Sequence, residues 1–314
     1  MREQRNIYRE RKIIIQTTTK HTIDLRILYI YKRYKVIRRN MGCKCCVPAA
    51  MKVLPGDILP NLPENIIHIN ESTSKEQREE FEQVIAKSFC GTTKTSPEGM
   101  IGWFFEGGKP GVNPTDPLKE DPSPARENFC LVGLAKFSVA TVLRHGGCYA
   151  LLDSSGKIVG ATSFFPPSKK PIYKMGMCEF IWVANQLGGM GALPKEVTSG
   201  DSCKRGEIIE KVMQKCHSEC IQGEHLYVAI TAILPGEQGK GYGRKLMEFL
   251  NAAADNMGVP SYLECSSVRN VNFYEKNGYK VVKDYELKYK DDVFKPDGVE
   301  KGIRAMVRPV GGGD

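Results

Sequence analysis

A run long enough to span a bilayer is missing from this sequence. Its longest apolar stretch, around Phe129 to Leu143, is interrupted by Lys136 and falls short of the roughly 20 residues a spanning helix requires. A cysteine framework is missing too. The 11 cysteines are odd in number, scattered and without a hydrophobic secretory leader, which argues against disulfides and for reduced thiols in an intracellular, cytoplasmic setting. The folded part also lacks a surplus of basic charge. Residues 1–40 hold 12 of the 45 Lys/Arg and 3 of the 36 Asp/Glu, so the remainder carries 33 of each sign. The net charge of +9 thus belongs to an N-terminal segment, and no nucleic-acid partner is expected. With 26% charged and 41% hydrophobic residues over 314 positions, the composition excludes disorder along the whole length and allows a proper core.

The organisation that is present starts with a basic leader, residues 1–60. It is Arg-rich and poor in acids, but its short Ile runs do not form the clean amphipathic helix of a mitochondrial transit peptide. Met41-Gly42-Cys43-Lys44-Cys45-Cys46 follows. If translation starts at Met41, Gly42 would become the N-terminus beside Cys43, Cys45 and Cys46, the arrangement for a myristoyl chain reinforced by palmitoyl chains. Two such signals would associate the protein with a membrane. The sixth position is Cys46 rather than Ser or Thr; the alternative is a flexible leader with exposed thiols.

One domain is expected over residues 61–310. Ile66, Ile67 and Ile69 suggest a strand, and Ser72 to Phe89 reads as a helix, with Ser74 and Gln77 as a capping box and Phe81, Val84, Ile85 and Phe89 at helical spacing. Residues 91–127, rich in Gly and Pro, read as a long loop. A second helix is expected from Glu127 to Arg144, then a hairpin of Cys148–Leu152 and Ile158–Phe165 turning at Asp153-Ser154-Ser155-Gly156. Residues 166–205 read as irregular, and Glu207 to Ile221 as an amphipathic helix. Thereafter come a strand Leu226–Leu234, a helix Gln238–Met257, a strand Tyr262–Cys265, a helix Val271–Lys276, a strand Tyr279–Leu287 and a last strand Ile303–Val307 that would pair with it.

The informative segment is Pro235-Gly236-Glu237-Gln238-Gly239-Lys240-Gly241-Tyr242-Gly243-Arg244. Glycines between a strand and a helix let backbone N–H groups converge on one spot, and the helix N-terminus adds partial positive charge, so the spot suits phosphate. A P-loop needs Gly-Lys-Ser/Thr after its second glycine, which is lacking. A dinucleotide fingerprint begun at Gly239 needs Gly or Ala at its sixth position, which is Arg244. What remains is Gln/Arg-x-x-Gly-x-Gly/Ala, met by Gln238, Gly241 and Gly243. About 30 residues on lies Asn270-Val271-Asn272-Phe273-Tyr274-Glu275-Lys276-Asn277-Gly278-Tyr279. In these two motifs the sequence resembles the Gcn5-related N-acetyltransferase (GNAT) superfamily. Leu263-Glu264-Cys265-Ser266 followed by Arg269-Asn270 and Tyr274 looks like its puromycin acetyltransferase-like branch.

That resemblance implies an α/β (α+β) fold: a central, mainly antiparallel mixed sheet splayed between its fourth and fifth strands, with helices on both faces. It implies acetyl-CoA as cosubstrate, with the pyrophosphate on the turn amides of Gln238, Gly239, Lys240, Gly241, Tyr242 and Gly243 and with Arg244 close by. The pantetheine arm would pair with Ala232, Ile233 and Leu234. Asn270 would hydrogen-bond the cofactor, with helix N-capping as its plain alternative. Tyr274 stands at the superfamily's acid position and would protonate the leaving thiolate, against a reading in which it only packs. For Lys240 and Lys245 a solvated helix face is the other reading.

The general base stays open between Glu264, on the strand facing the cofactor strand, and His225 or Glu224 at the start of that strand; a surface carboxylate or buried ion pair is the other reading of Glu264. Cys216-His217-x-x-Cys220 lies on an aliphatic stripe and reads as core rather than zinc ligands, Cys265 as a packed strand residue, and no metal is expected. Met175, Met177 and Trp182 would line a pocket or fill the core. The leading acceptor is a small-molecule primary amine. The alternatives are a protein N-terminus or lysine, and a CoA-binding regulatory protein without turnover.

Overall fold

The structure, a computed structural model, describes residues 58–107, 113, 116–168, 177–189, 192, 199–296 and 302–312. The lipid-anchor segment 41–46, the rest of the basic leader before residue 58, Met175 and the Met177 side chain lie outside the described residues. Seven strands form one sheet in the order β1 (Ile66–His68), β2 (Cys148–Leu152), β3 (Ile158–Phe165), β4 (Leu226–Ile233), β5 (Ser261–Cys265), β7 (Ile303–Arg308), β6 (Lys280–Tyr285). Every pairing is antiparallel except β4 with β5. That parallel pair is joined only at Leu226–Ser261 and Tyr227–Tyr262, after which the strands separate. The expected mixed sheet, splayed between its fourth and fifth strands, is what the chain forms. The last strand does pair with β6, and it also pairs with β5, so it sits between the two.

Two cores cover the two sheet faces. One holds Phe81, Val84 and Ile85 of α1 (Lys75–Cys90) with Trp103, Val139, Cys216 and Tyr262. The other holds Leu246, Met247, Phe249, Leu250 and Ala253 of α7 (Tyr242–Asn256) with Leu263, Val271 and Met306. Helix α1 begins at Lys75 rather than Ser72, and Ser74 is its cap: the Ser74 side chain accepts from Gln77 N and so satisfies one of the helix's orphan donors. Asp153 makes the β2–β3 turn by accepting from the amides of Ser155 and Lys157.

Several expectations need correction. Residues 91–127 contain α2 (Gly99–Glu106) and the start of the next helix. The single helix expected over Glu127–Arg144 is α3 (Pro124–Asn128), a π-helical stretch Phe129–Lys136, and α4 (Phe137–Leu143). The wider π turn accompanies Phe129 stacking on Phe104 at 4.5 Å, and such turns often sit at functional sites. Residues 166–205 hold α5 (Met177–Gln186) and the start of α6 (Gly200–Cys220). Helix α7 begins at Tyr242 rather than Gln238, because Gly239 and Gly241 take left-handed φ values of 81° and 86°, which break helical geometry. Among the described residues no helix is long and apolar enough to cross a membrane.

Candidate active site

The site lies where β4 and β5 part. In β4, Ser163 pairs with Ile230 and Phe164 with Val228, so Ala229 has no partner on β3 and forms a bulge, a device that re-aims a strand. Ala229 and Glu264 both lie two residues beyond the last β4–β5 pair, Tyr227–Tyr262. They therefore stand level across the gap. Further along β4, Leu234 N donates to Val159 O at 2.9 Å, so that amide is engaged by β3. Because successive antiparallel residues turn their polar groups to opposite sides, Thr231 and Ile233 present theirs to the gap while Ala232 faces β3. Ile233 O accepts from Ser88 Oγ at 2.8 Å and Gln238 Nε2 at 3.3 Å.

Beyond Pro235 the turn opens onto the N-terminus of α7. Its first helical bond is Lys245 N to Gly241 O at 3.2 Å, which leaves the amides of Tyr242, Gly243 and Arg244 as the unpaired first-turn donors. A Cβ built on Gly239 or Gly241 would meet nothing within 4 Å, so these glycines answer to backbone conformation and leave open space above the amides. Gly243 differs: its Cβ position lies 3.3 Å from Phe273 Cζ, so it permits α7 to approach α8 (Val268–Glu275). Lys240 pairs with Glu237 at 2.8 Å and Arg244 with Glu248 at 2.8 Å, all exposed to varying degrees.

Helix α8 starts at Ser267, whose Oγ accepts from Asn270 N at 3.1 Å. Ser267 rather than Asn270 is thus the cap, and the Asn270 side chain is exposed. The same helix carries Tyr274, whose phenol lies beside Thr231 of β4. Burial pushes this phenol up, with the Cys265 thiol, Tyr279 and the Glu98 carboxyl adding to the shift, so it keeps its proton at neutral pH. Cys265 is buried in the strand and donates to Ser267 O at 3.3 Å.

On the opposite sheet face, burial pushes the Glu264 carboxyl up to about 7, and the phenols of Tyr227 and Tyr262 act against that shift by favouring the charged form. Its Oε1 is buried without a hydrogen-bond partner, and so are the Tyr262 hydroxyl and Thr231 Oγ1. His225 is at the other end of β4, eight residues before Ile233 and so roughly 25 Å away at ordinary strand rise. Its Nδ1 donates to Gly223 O at 2.8 Å, which makes its Nε2 the acceptor for His217 Nε2 at 2.6 Å. Glu224 is exposed next to it. The gap thus gathers Glu264, Tyr274 and the turn, and leaves His225 and Glu224 outside. Cys216 is core, as expected, and Cys220 lies 3.3 Å from the Tyr285 hydroxyl. Trp182 stacks under the Arg144 guanidinium at 4.4 Å.

Sequence reasoning missed Glu98. It caps α2 through Ile101 N at 3.0 Å and accepts from Ser266 Oγ just past β5, with burial raising its pKa. The one signal was an acid directly before the apolar run Gly99–Phe105.

Residues 201–281 match the family model described as an acetyltransferase (GNAT) domain. An uncharacterised N-acetyltransferase of Schizosaccharomyces pombe is 42% identical over 53 residues, 17% of this chain and 22% of that protein. The chain therefore aligns with about a fifth of the length of that curated relative. Among solved structures, a histone acetyltransferase HPA2 and related acetyltransferase from Corynebacterium glutamicum is 15% identical, with 78% of this chain and 96% of the other covered and a TM-score of 0.41. The polyamine N-acetyltransferase of Drosophila melanogaster is 15% identical over 77% of this chain and 98% of its own, with a TM-score of 0.46. The matched segment runs from α6 to β6 and contains the turn, the splayed strands and α8.

Proposed function

We propose that the matched segment is the core of a GNAT acetyltransferase, which transfers the acetyl group of acetyl-CoA directly to a primary amine of a small molecule. The observation that carries this reading is the gap between β4 and β5, bordered by an open glycine turn at one end and by Glu264 and Tyr274 on opposite faces. The cosubstrate would supply an activated acetyl thioester. The fit is supported by the vacant space over Gly239 and Gly241 and by the first-turn amides of Tyr242, Gly243 and Arg244, which suit a diphosphate. Thr231 and the N–H of Ile233 offer backbone groups along the gap for an extended arm, the Ile233 carbonyl being held by Ser88 and Gln238.

Glu264, raised to about 7, is poised to take a proton from the acceptor nitrogen near neutral pH. Tyr274 retains its phenolic proton and can give it to the departing sulfur. The remaining first-turn and strand donors hold and orient. In the balanced reaction a C–N bond forms, the C–S bond breaks, the nitrogen's proton goes to Glu264 and the sulfur gains the proton of Tyr274. The likeness of Leu263-Glu264-Cys265-Ser266 and Arg269-Asn270 to the puromycin acetyltransferase-like branch supports the small-molecule acceptor.

The test is CoA release from acetyl-CoA with a panel of small primary amines and short peptides, beside calorimetry with acetyl-CoA alone. Binding with amine-dependent, saturable release is expected, with small amines ahead of peptides. Heat on binding without release from any amine would leave a CoA-binding protein; neither heat nor release would end the reading.

A further inference from the structure

Tyr227 and Tyr262 are the last paired residues of β4 and β5 before the strands separate, and their rings lie 5.7 Å apart at 45°. Glu264 follows Tyr262 by two residues on the same strand, so both project from one face. The groups acting on its charge are Tyr227 from β4 and Tyr262 from β5, while from α6 the Cys216 thiol is itself raised partly by Glu264. This wall is aromatic and anionic. Glu264 Oε1 and the Tyr262 hydroxyl are buried with no partner at full hydrogen-bond geometry, although the phenol lies near enough to the carboxyl to favour its charged form, and Tyr262 is 0% exposed as a residue. Native structures rarely leave adjacent buried polar atoms unsatisfied unless a ligand or water completes them.

A second layer fixes the rings. His217, 2% exposed, packs edge-on against Tyr227 at 4.6 Å and 82° and against Tyr262 at 4.6 Å. His225 backs it at 2.6 Å. Neither tyrosine ring can swing toward α6 without displacing this pair.

Resting on the acetyltransferase reading above, we infer that Tyr227 and Tyr262 are positioning residues for the acceptor: Tyr227 steadies the Glu264 carboxylate, while Glu264 Oε1 and the Tyr262 hydroxyl together receive the reacting nitrogen. The chemistry of this seat, a carboxylate between two phenol rings, selects amines and ammonium ions over anionic acceptors.

The experiment uses the full chain labelled with carboxyl-13C glutamate, with the Glu264 resonance assigned by its loss in Glu264→Gln. In the wild type, n-butylamine is expected to displace that resonance saturably. Tyr227→Phe should move its titration midpoint upward by about half a unit or more, the loss of one stabilising donor. Tyr262→Phe should weaken the butylamine response about tenfold, as loss of one hydrogen bond would. No butylamine response in the wild type, or folded variants with unchanged midpoint and response, would overturn the inference. If Tyr227→Phe fails to fold, the Tyr262→Phe arm decides. A merely structural role would lower melting temperatures without moving either readout. Failure of the underlying acetyltransferase reading shows separately, as absent heat and absent CoA release with acetyl-CoA.

Discussion

Glu264→Gln should stabilise the protein in mildly alkaline buffer while removing its activity there. Folding raises this carboxyl from 4.5 to about 7, so the native state holds the proton more tightly than the unfolded chain. Its contribution is then fully present below about pH 4.5 and is lost as pH rises through about 7. At roughly 1.4 kcal/mol per unit, the wild type loses at most about 2–3 kcal/mol from this group between pH 5 and pH 8. The Gln variant has no proton to lose. Urea unfolding at the two pH values measures the difference: the wild-type free energy should fall more steeply than that of the variant, and the gap should close in acid. In parallel, the rise of wild-type kcat/KM through about pH 7 should vanish in the variant. Parallel stability curves for the two proteins would refute burial as the cause of the raised carboxyl, and with it the assignment of Glu264 as a base near neutrality.

Gly241→Val places a β-branched residue at φ 86°; a cost of about 1–2 kcal/mol in denaturant midpoint is expected, with acetyl-CoA heat lost in calorimetry. Tyr274→Phe should lower kcat about 10²–10⁴-fold with little change in the acetyl-CoA KM, measured by CoA release; an unchanged kcat would reduce the phenol to packing. Leu250→Ala, at a position 0% exposed in the α7 core, should cost about 2–5 kcal/mol in urea unfolding, and a smaller loss would mean that the site collapses around the cavity.

How much was legible depended on whether local pattern and tertiary burial agreed. The hairpin over residues 148–165 and the strand–turn–helix from Leu226 onward were readable because alternation, Asp153 turn chemistry and the glycine turn all point the same way. Helix α2 was not. Gly99-Met100-Ile101-Gly102-Trp103-Phe104-Phe105 has no polar face to supply a period and two glycines that argue against helix; burial between neighbours overrides both. Helix α6 starts at Gly200, ahead of where its apolar stripe becomes visible, because Gly206 interrupts that stretch, its Cβ position lying 3.0 Å from Phe104 Cε2. In the site, Glu264 and Tyr274 could be placed by motif. That Tyr227 and Tyr262 face Glu264, and that Glu98 closes on Ser266, depend on strand register and a long-range contact, which no local pattern carries.

The two-pair junction between β4 and β5 has a mechanical consequence. With so few shared ladder bonds, the part of the sheet from β1 to β4 and the part from β5 to β6 should open as separate cooperative units in native-state hydrogen exchange. Amides lining the seam should be the first of the sheet to take up deuterium. A guest lying along the seam would fuse the two units, and their exchange rates would converge.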